Sequence, residues 1–217
     1  MRKSTEILTP IPIRFDGEGR AAIARRLAAF AVESCAGQGL RRAAVCVIVT
    51  EHAAGDAAVV LTQRSAHLRA HPSQYALPGG RIDAGESVVD AVLREAREEI
   101  GLQLAPTDIL GRLDDYPTRS GYLITPLVAW APSGSALCAN PSEVAAIHCV
   151  PLAQLAQPGS PQFTTIAESN RPVIRYPLLG TLIHAPTAAV LYQFMEVAML
   201  GRETRVAHLE QPTWAWR

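Results

Sequence analysis

Apolar residues recur along the chain with two different periods, and each period predicts a different kind of element. Residues 43–50 (AAVCVIVT) and 57–63 (AAVVLTQ) are β-rich runs separated by a Gly-Asp turn, which is typical of neighbouring strands. Apolar side chains at helical spacing predict a helix within residues 20–35. Further runs predict strands at 109–113 and 121–131, a strand before a turn-helix at 150–155, and an apolar helix at about 184–200.

The strongest local signal predicts a helix over residues 88–100. Ser87 is a suitable N-cap with Asp90 three residues later, and Gly101 provides the stop signal at the other end. A helix advances about 100° per residue, so its apolar side chains form a stripe. The residues of this stripe are Val89, Val92, Leu93, Ala96 and Ile100.

Three carboxylates lie on the adjacent stripe of this helix. Glu95, Glu98 and Glu99 face the same way because offsets of three and four residues share a helix face. Their mutual repulsion is relieved by a hard divalent cation such as Mg²⁺ or Mn²⁺, which prefers oxygen ligands. The alternative is a solvated acidic face paired with Arg94 and Arg97. Taken alone, this spacing leaves both interpretations open.

Composition narrows the classes of function that are open to the chain. With 217 residues, of which 48% are hydrophobic and 18% charged, it can bury a sizeable core. Twenty basic and twenty acidic side chains cancel, which argues against a general nucleic-acid partner. Four cysteines without C-x-x-C spacing favour a reducing compartment. The sequence has neither an apolar run of 18 residues nor a signal-peptide core, so we expect a cytoplasmic protein without a membrane partner.

Strands and helices intermix without a βαβ rhythm, which predicts a mixed α/β fold in one domain. Within it, the segment GRIDAGESVVDAVLREAREEIGL at 80–102 places seven specified residues at fixed spacing. It resembles the Nudix box of the Nudix hydrolases. The resemblance implies an α/β/α sandwich with a mixed β-sheet and the Nudix loop-helix. It also implies an Mg²⁺- or Mn²⁺-dependent hydrolase of small nucleoside diphosphate derivatives.

The resemblance also implies roles for particular residues. Glu95 and Glu99 would be the main metal ligands, Glu98 a further ligand or water-mediated contact, and the Gly80 carbonyl another ligand. Glu86 would orient the loop and Arg94. The general base would be either Glu98 or Glu143, which lies in the later segment NPSEVAAIHCVPL. The expected catalytic group is therefore Arg94, Glu95, Glu98 and Glu143.

The run LTQRSAHLRAHPSQYALPGG at 61–80 resembles a further signature, that of the coenzyme A pyrophosphatase branch. Its cationic donors Arg64, Arg69 and His71 suit a phosphate-rich substrate. This resemblance implies cleavage of coenzyme A to 4′-phosphopantetheine and adenosine 3′,5′-bisphosphate. The alternatives are hydrolysis of ADP-ribose, a dinucleoside polyphosphate or a damaged nucleotide, or nucleotide sensing without cleavage.

The resemblance covers about residues 40–195 of the chain. We therefore expect one domain over residues 1–217, with an N-terminal helical extension and a C-terminal tail. That tail carries Trp214 and Trp216, which could pack on the core, line a pocket or join a homodimer interface. The sequence does not choose among these three places.

Overall fold

A computed structural model gives the fold, and it describes residues 14–35, 39–66 and 73–216. Its helices are α1 (Gly17–Ala29), α2 (Val88–Ile100), α3 (Leu152–Leu155) and α4 (Thr187–Phe194). The first strands are β1 (Arg41–Glu51), β2 (Ala57–Arg64), β3 (Tyr75–Ala76), β4 (Gly79–Arg81), β5 (Ile109–Arg112) and β6 (Tyr116–Pro117). They are followed by β7 (Tyr122–Trp130), β8 (Val144–Pro151), β9 (Gln162–Ile166), β10 (Ser169–Leu178) and β11 (Thr181–His184). No helix in the described ranges is long and apolar enough to cross a membrane.

The main sheet is mixed, as the sequence predicts. Its principal strand order is β3-β2-β1-β7-β5, while β4 also pairs with β1, β6 with β7, and β8 with β2. Strands β1 and β7 run parallel, whereas the other described pairs of this sheet are antiparallel. A separate three-stranded antiparallel sheet has the order β11-β10-β9.

Strand β1 separates two hydrophobic cores because successive side chains point to opposite faces of a sheet. Ala44, Cys46 and Ile48 pack with the apolar residues of α2. Val47 and Val49 pack on the opposite face with residues of α1, α4 and β10. The sheet is therefore covered on both faces, which confirms the predicted α/β/α arrangement.

Helix α2 has the bounds and the caps that the sequence predicts. The Ser87 hydroxyl accepts a hydrogen bond from the Asp90 amide at 3.1 Å, and Gly101 ends the helix in the left-handed conformation with φ of 66°. Its buried face differs from the predicted apolar stripe, because Val89 and Leu93 are only half-buried. Ala91 is buried instead, and so is Glu99, beside Ala96 and Ile100. A carboxylate thus lies at the edge of the apolar core.

The sheet formed by β9, β10 and β11 was not expected from the sequence. Pro172 and Pro177 interrupt the strand signal of β10, and side chains of β9 alternate between exposed and half-buried rather than between exposed and buried. The expected helix at 184–200 is also divided: α4 ends at Phe194 and continues as a π-helical turn, Met195–Met199. Both the three-stranded sheet and the π-helical turn are defined by backbone hydrogen bonds, which the spacing of hydrophobic residues does not reveal.

The C-terminal segment is fixed to the main sheet by an ion pair. Arg119, in the turn before β7, donates to the buried carboxylate of Glu210, with Nε and Oε1 3.1 Å apart. This partner lowers the pKa of Glu210 to about 2. Arg119 also donates its amide to Gln211 at 2.8 Å, and its guanidinium lies over the Trp216 ring. These contacts hold residues 210–216 beside the start of β7.

Gly79 provides a test of how closely β4 approaches β1. A Cβ atom at this position would lie 2.3 Å from the Ala44 carbonyl oxygen and 2.6 Å from the Val45 Cα, and φ is +149°. We expect Gly79→Ala to lower the free energy of unfolding by about 3 kcal/mol, because the strands must separate. Urea unfolding measures this change.

Gly17→Ala is the matched control, because a Cβ atom at Gly17 has no neighbour within 4 Å. It should leave the free energy of unfolding within about 0.5 kcal/mol of the wild type or raise it slightly, since alanine favours the helix. Equal stability of the Gly79 and Gly17 variants would contradict the tight strand contact.

Candidate active site

One arginine joins the loop before α2 to the carboxylates of the helix. Arg94 donates to Glu86 at 2.9 Å, to Glu95 at 2.8 Å and to Glu98 at 3.1 Å. Its second terminal nitrogen donates to the Arg81 carbonyl at 3.0 Å. The hydrogen bond from Arg94 lowers the pKa of Glu86 and raises that of the guanidinium. Arg94 therefore stays charged and fixes the loop against both α2 and β4.

Glu86 also holds its own loop. Its second carboxylate oxygen accepts a hydrogen bond from the Asp83 amide at 3.0 Å. The structure thus places Glu86 between the loop backbone and Arg94. Of the arginines proposed as partners for an acidic face, Arg97 is exposed and forms no ion pair with a described residue.

The three carboxylates of α2 differ strongly in their surroundings. Glu99 is only 3% exposed and accepts a hydrogen bond from the Gly79 amide at 3.1 Å. Glu95 is also largely buried, whereas almost half of the Glu98 side-chain surface is exposed. The shared helix face predicted for all three is correct for Glu95 and Glu99, while Glu98 lies at its solvent edge.

Burial dominates the electrostatics of the inner pair. It raises the pKa of Glu99 to about 7 and also raises that of Glu95. The negative charge of Glu143 adds to both effects, so the fold brings this loop residue close to the helix carboxylates. Glu98 remains exposed beside Arg94. Both sequence candidates for the general base thus lie at the same site.

The glycine at position 80 leaves space for a carboxylate. A Cβ atom on Gly80 would lie 2.2 Å from Oε1 of Glu95. At Gly80, strand β4 therefore places backbone without a side chain next to the acidic residue Glu95 of α2. The carbonyl and carboxylate oxygens that meet here are of the kind that Mg²⁺ and Mn²⁺ prefer.

The donor set fits a hard divalent cation in its chemistry, although Arg94 supplies the local positive charge in this structure. Within the described ranges, no three His, Cys, Asp or Glu side chains are already arranged as a metal site. Arg94 does not compensate the negative charge of Glu99, because Glu99 forms no ion pair with a described residue. A buried carboxylate of this kind favours either a proton or a cation.

A cavity of about 780 Å³ opens beside Gly79 and Gly80. One wall comes from β1, β4 and the start of β7, and the other from β11, the start of α4 and the C-terminal segment. Trp214 lines this cavity with half of its surface exposed, in edge contact with His184. Lining a pocket is one of the three places considered for this tryptophan.

Arg64 is the one sequence-predicted substrate contact that the described residues include. It lines the cavity, and its buried Nε atom has no hydrogen-bond partner among them. Its positive charge partly offsets the raised pKa of Glu99. Arg69 and His71 lie outside the described residues. Arg64 is therefore placed between the carboxylates and the cavity with its Nε donor unused.

Two further arginines, which the sequence analysis did not identify, line the cavity. Arg41 begins β1 and lies over the ring of Tyr122, while Arg81 donates from Nε to the Tyr122 hydroxyl at 2.9 Å. Arg81 directly follows Gly80, so its position in the box was a usable signal. The pairing of Arg41 with Tyr122 depends on the parallel register of β1 and β7, which local sequence does not reveal.

Comparisons with known proteins agree with this geometry. The sequence profile of the NUDIX domain matches residues 39–176. The Nudix hydrolase NudL of Photorhabdus laumondii is 36% identical over 141 residues, which cover 64% of this chain and 75% of that protein. The Nudix hydrolase NudL of Escherichia coli O7:K1 is 41% identical over 97 residues, which cover 44% of this chain and half of that relative's length.

A solved structure supports the fold independently. The crystal structure of a MutT/nudix family protein from Enterococcus faecalis aligns with a TM-score of 0.50 at 20% sequence identity. The alignment covers 74% of this chain and 60% of that one. The likeness therefore shows a shared fold over about three quarters of this chain.

The raised pKa of Glu99 predicts a pH-dependent stability of the metal-free protein. A carboxyl whose pKa rises from 4.5 to about 7 on folding binds its proton more tightly in the folded state. The free energy of unfolding should therefore fall as the pH rises from 4.5 to 7, by about 2–3 kcal/mol from this group. Urea unfolding in EDTA at pH 5 and pH 8 measures the change.

Glu99→Gln should remove this dependence and be the more stable protein at pH 8, because no buried charge remains. Glu98→Gln is the control, since Glu98 is exposed and hydrogen-bonded to Arg94. A Glu99→Gln variant that is less stable than the wild type at pH 8 would refute the assignment of an uncompensated buried charge.

Proposed function

Because this chain belongs to the Nudix hydrolase family, we propose that it cleaves the diphosphate bond of coenzyme A in a reaction that requires Mg²⁺ or Mn²⁺. The products would be 4′-phosphopantetheine and adenosine 3′,5′-bisphosphate. The observation that carries the proposal is the position of Glu95 and Glu99. These two largely buried carboxylates lie against Gly79 and Gly80, which line a cavity that several arginines also line. The molecule bound there would be a small nucleotide derivative.

Hydrolysis requires a water oxygen to bond to one phosphorus while the bond from that phosphorus to the bridging oxygen breaks. A divalent ion held by Glu95, Glu99, Glu98 and the Gly80 carbonyl would neutralise charge on the diphosphate. Arg64 would bind phosphate oxygens through its unused Nε donor. Arg94 and Glu86 would act by positioning, because they fix the loop and the helix to each other.

The attacking water loses a proton, and two carboxylates are candidates to accept it. Glu98 is exposed at the outer edge of the helix face, and Glu143 approaches the inner pair from the loop before β8. Glu98 shares the Arg94 guanidinium with Glu95. Separate Gln variants of Glu98 and Glu143 assign the base, because loss of the base lowers kcat more than it raises KM.

Coenzyme A is favoured over other diphosphates by the residues upstream of the box. The resemblance over residues 61–80 includes Arg64 at the end of β2 and the two glycines of β4. These three residues line the cavity. The cavity is also large enough for an extended ligand and is apolar on the side of Leu182, Pro186 and Val190. A pantetheine arm needs such a surface, whereas the diphosphate needs the arginines.

Removal of one carboxylate tests the catalytic assignment. Glu99→Gln should lower kcat by about a hundred-fold or more at saturating Mg²⁺ while the fold is retained, because the cation loses a buried anionic ligand. Glu168→Gln is the matched control, since Glu168 is exposed on the turn between β9 and β10. Wild-type rates for Glu99→Gln, with circular dichroism unchanged, would rule out its role as a ligand.

Product analysis tests the substrate. We expect mass spectrometry to detect phosphopantetheine and adenosine 3′,5′-bisphosphate from coenzyme A in Mg²⁺ or Mn²⁺, with slower turnover of ADP-ribose, NADH and a diadenosine polyphosphate. Preference for one of those three would keep diphosphate hydrolysis and reject coenzyme A. Binding of a substrate without any turnover would instead identify a nucleotide sensor.

A further inference from the structure

The two cavity arginines next to Tyr122 have no charged partner among the described residues. Arg41 donates to the Ser120 carbonyl at 3.0 Å, and Arg81 donates to the Tyr122 hydroxyl at 2.9 Å. Neither guanidinium lies within 4.0 Å of a described carboxylate. Each keeps further N–H donors that have no acceptor in the part of the chain that the structure describes.

Backbone register brings these side chains together. Arg41 is paired with Tyr122 across the parallel strands β1 and β7, while Arg81 is paired with Ala43, two residues along β1. The guanidinium carbons lie 4.0 Å (Arg41) and 5.6 Å (Arg81) from the centre of the Tyr122 ring. Two positive charges are thus held against one ring at a wall of the cavity.

The position of Arg81 relates this pair to the carboxylates. Its carbonyl accepts a hydrogen bond from Arg94, and it follows Gly80, which lies against Glu95. Arg64, in contrast, contributes its charge beside Glu99. The cavity therefore offers one arginine near the carboxylates and a separate pair around Tyr122. It has more positively charged side chains than a single diphosphate would contact.

We propose that Arg41 and Arg81, together with the Tyr122 hydroxyl, bind a phosphate monoester on the ribose of the substrate, separate from the diphosphate that is cleaved. Guanidinium groups suit this ligand because their planar donors match phosphate oxygens and stay charged. The Tyr122 hydroxyl accepts from Arg81 and keeps its own hydrogen to donate. The ligand class is a nucleoside carrying both a 5′-phosphate and a 2′- or 3′-phosphate.

This inference rests on the proposed function only for the presence of a nucleotide in the cavity. It predicts which nucleotides are selected: those with the additional monoester, such as coenzyme A, over those without it. If Arg41 and Arg81 only packed against the ring of Tyr122, the protein would not distinguish a nucleotide with one phosphate from a nucleotide with two.

Equilibrium binding in EDTA separates the site from catalysis. Isothermal titration calorimetry would compare AMP, adenosine 3′,5′-bisphosphate and adenosine 2′,5′-bisphosphate on the wild-type protein. We expect at least one bisphosphate to bind about ten-fold more tightly than AMP, since charge-assisted hydrogen bonds are gained only with the second phosphate. The preferred isomer identifies the ribose position that faces the arginines.

Arg41→Gln and Arg81→Gln should each reduce this affinity ratio to about two-fold or less. Arg25→Gln is the matched control, because Arg25 is exposed on α1 and the substitution changes the net charge equally. It should preserve the wild-type ratio, which shows that overall charge is not the cause. Circular dichroism spectra and thermal melting curves establish that each variant is folded.

Two results would overturn the proposal: equal affinity of the wild type for all three nucleotides, or an undiminished ratio in both cavity variants. The wild-type comparison stands even if a variant fails to fold. No bond is cleaved in EDTA, so loss of discrimination leaves the proposed hydrolysis intact. Conversely, a protein that hydrolyses none of the tested diphosphates still allows this binding comparison, because the comparison involves no turnover.

Discussion

The guanidinium of Arg94 holds three parts of the molecule in one place. It binds carboxylates from the loop and the helix as well as a carbonyl from β4, so a shift of any one part breaks hydrogen bonds to the other two. Such charge-assisted contacts are directional as well as strong. The position of Gly80 against Glu95, and that of the following Arg81 at the cavity wall, both depend on this connection.

Arg94 does not neutralise the whole cluster, and the remaining negative charge is concentrated on Glu99. Glu99 is excluded from water by the core around α2, and the one hydrogen bond that its carboxylate forms with a described residue comes from the Gly79 amide. Packing of the apolar residues that are buried on the same helix, such as Val92 and Ile100, offsets the cost of this arrangement. A site under such electrostatic strain gains stability when a cation or a proton arrives.

Local sequence was sufficient to predict the elements that are specified by residues close together in the chain. Helix α2 could be predicted with its bounds because Ser87, its apolar spacing and Gly101 all agree. The positions of Glu95 and Glu99 followed from the same helix. Features that depend on contacts between distant segments were not accessible in this way. The approach of Glu143 and the cation–π contact between Arg41 and Tyr122 both arise from strand register.

The C-terminal segment makes the cavity a composite of distant parts of the chain. The carboxylate helix ends at residue 100, and the strands of the main sheet end at residue 151. The wall that carries Trp214 is held by the ion pair between Glu210 and Arg119, ninety-one positions apart in the sequence. The same segment supplies Val206 and Leu209 to the larger hydrophobic core. One stretch of chain therefore completes both the core and a wall of the cavity, so the shape of the cavity is coupled to the packing of the protein interior.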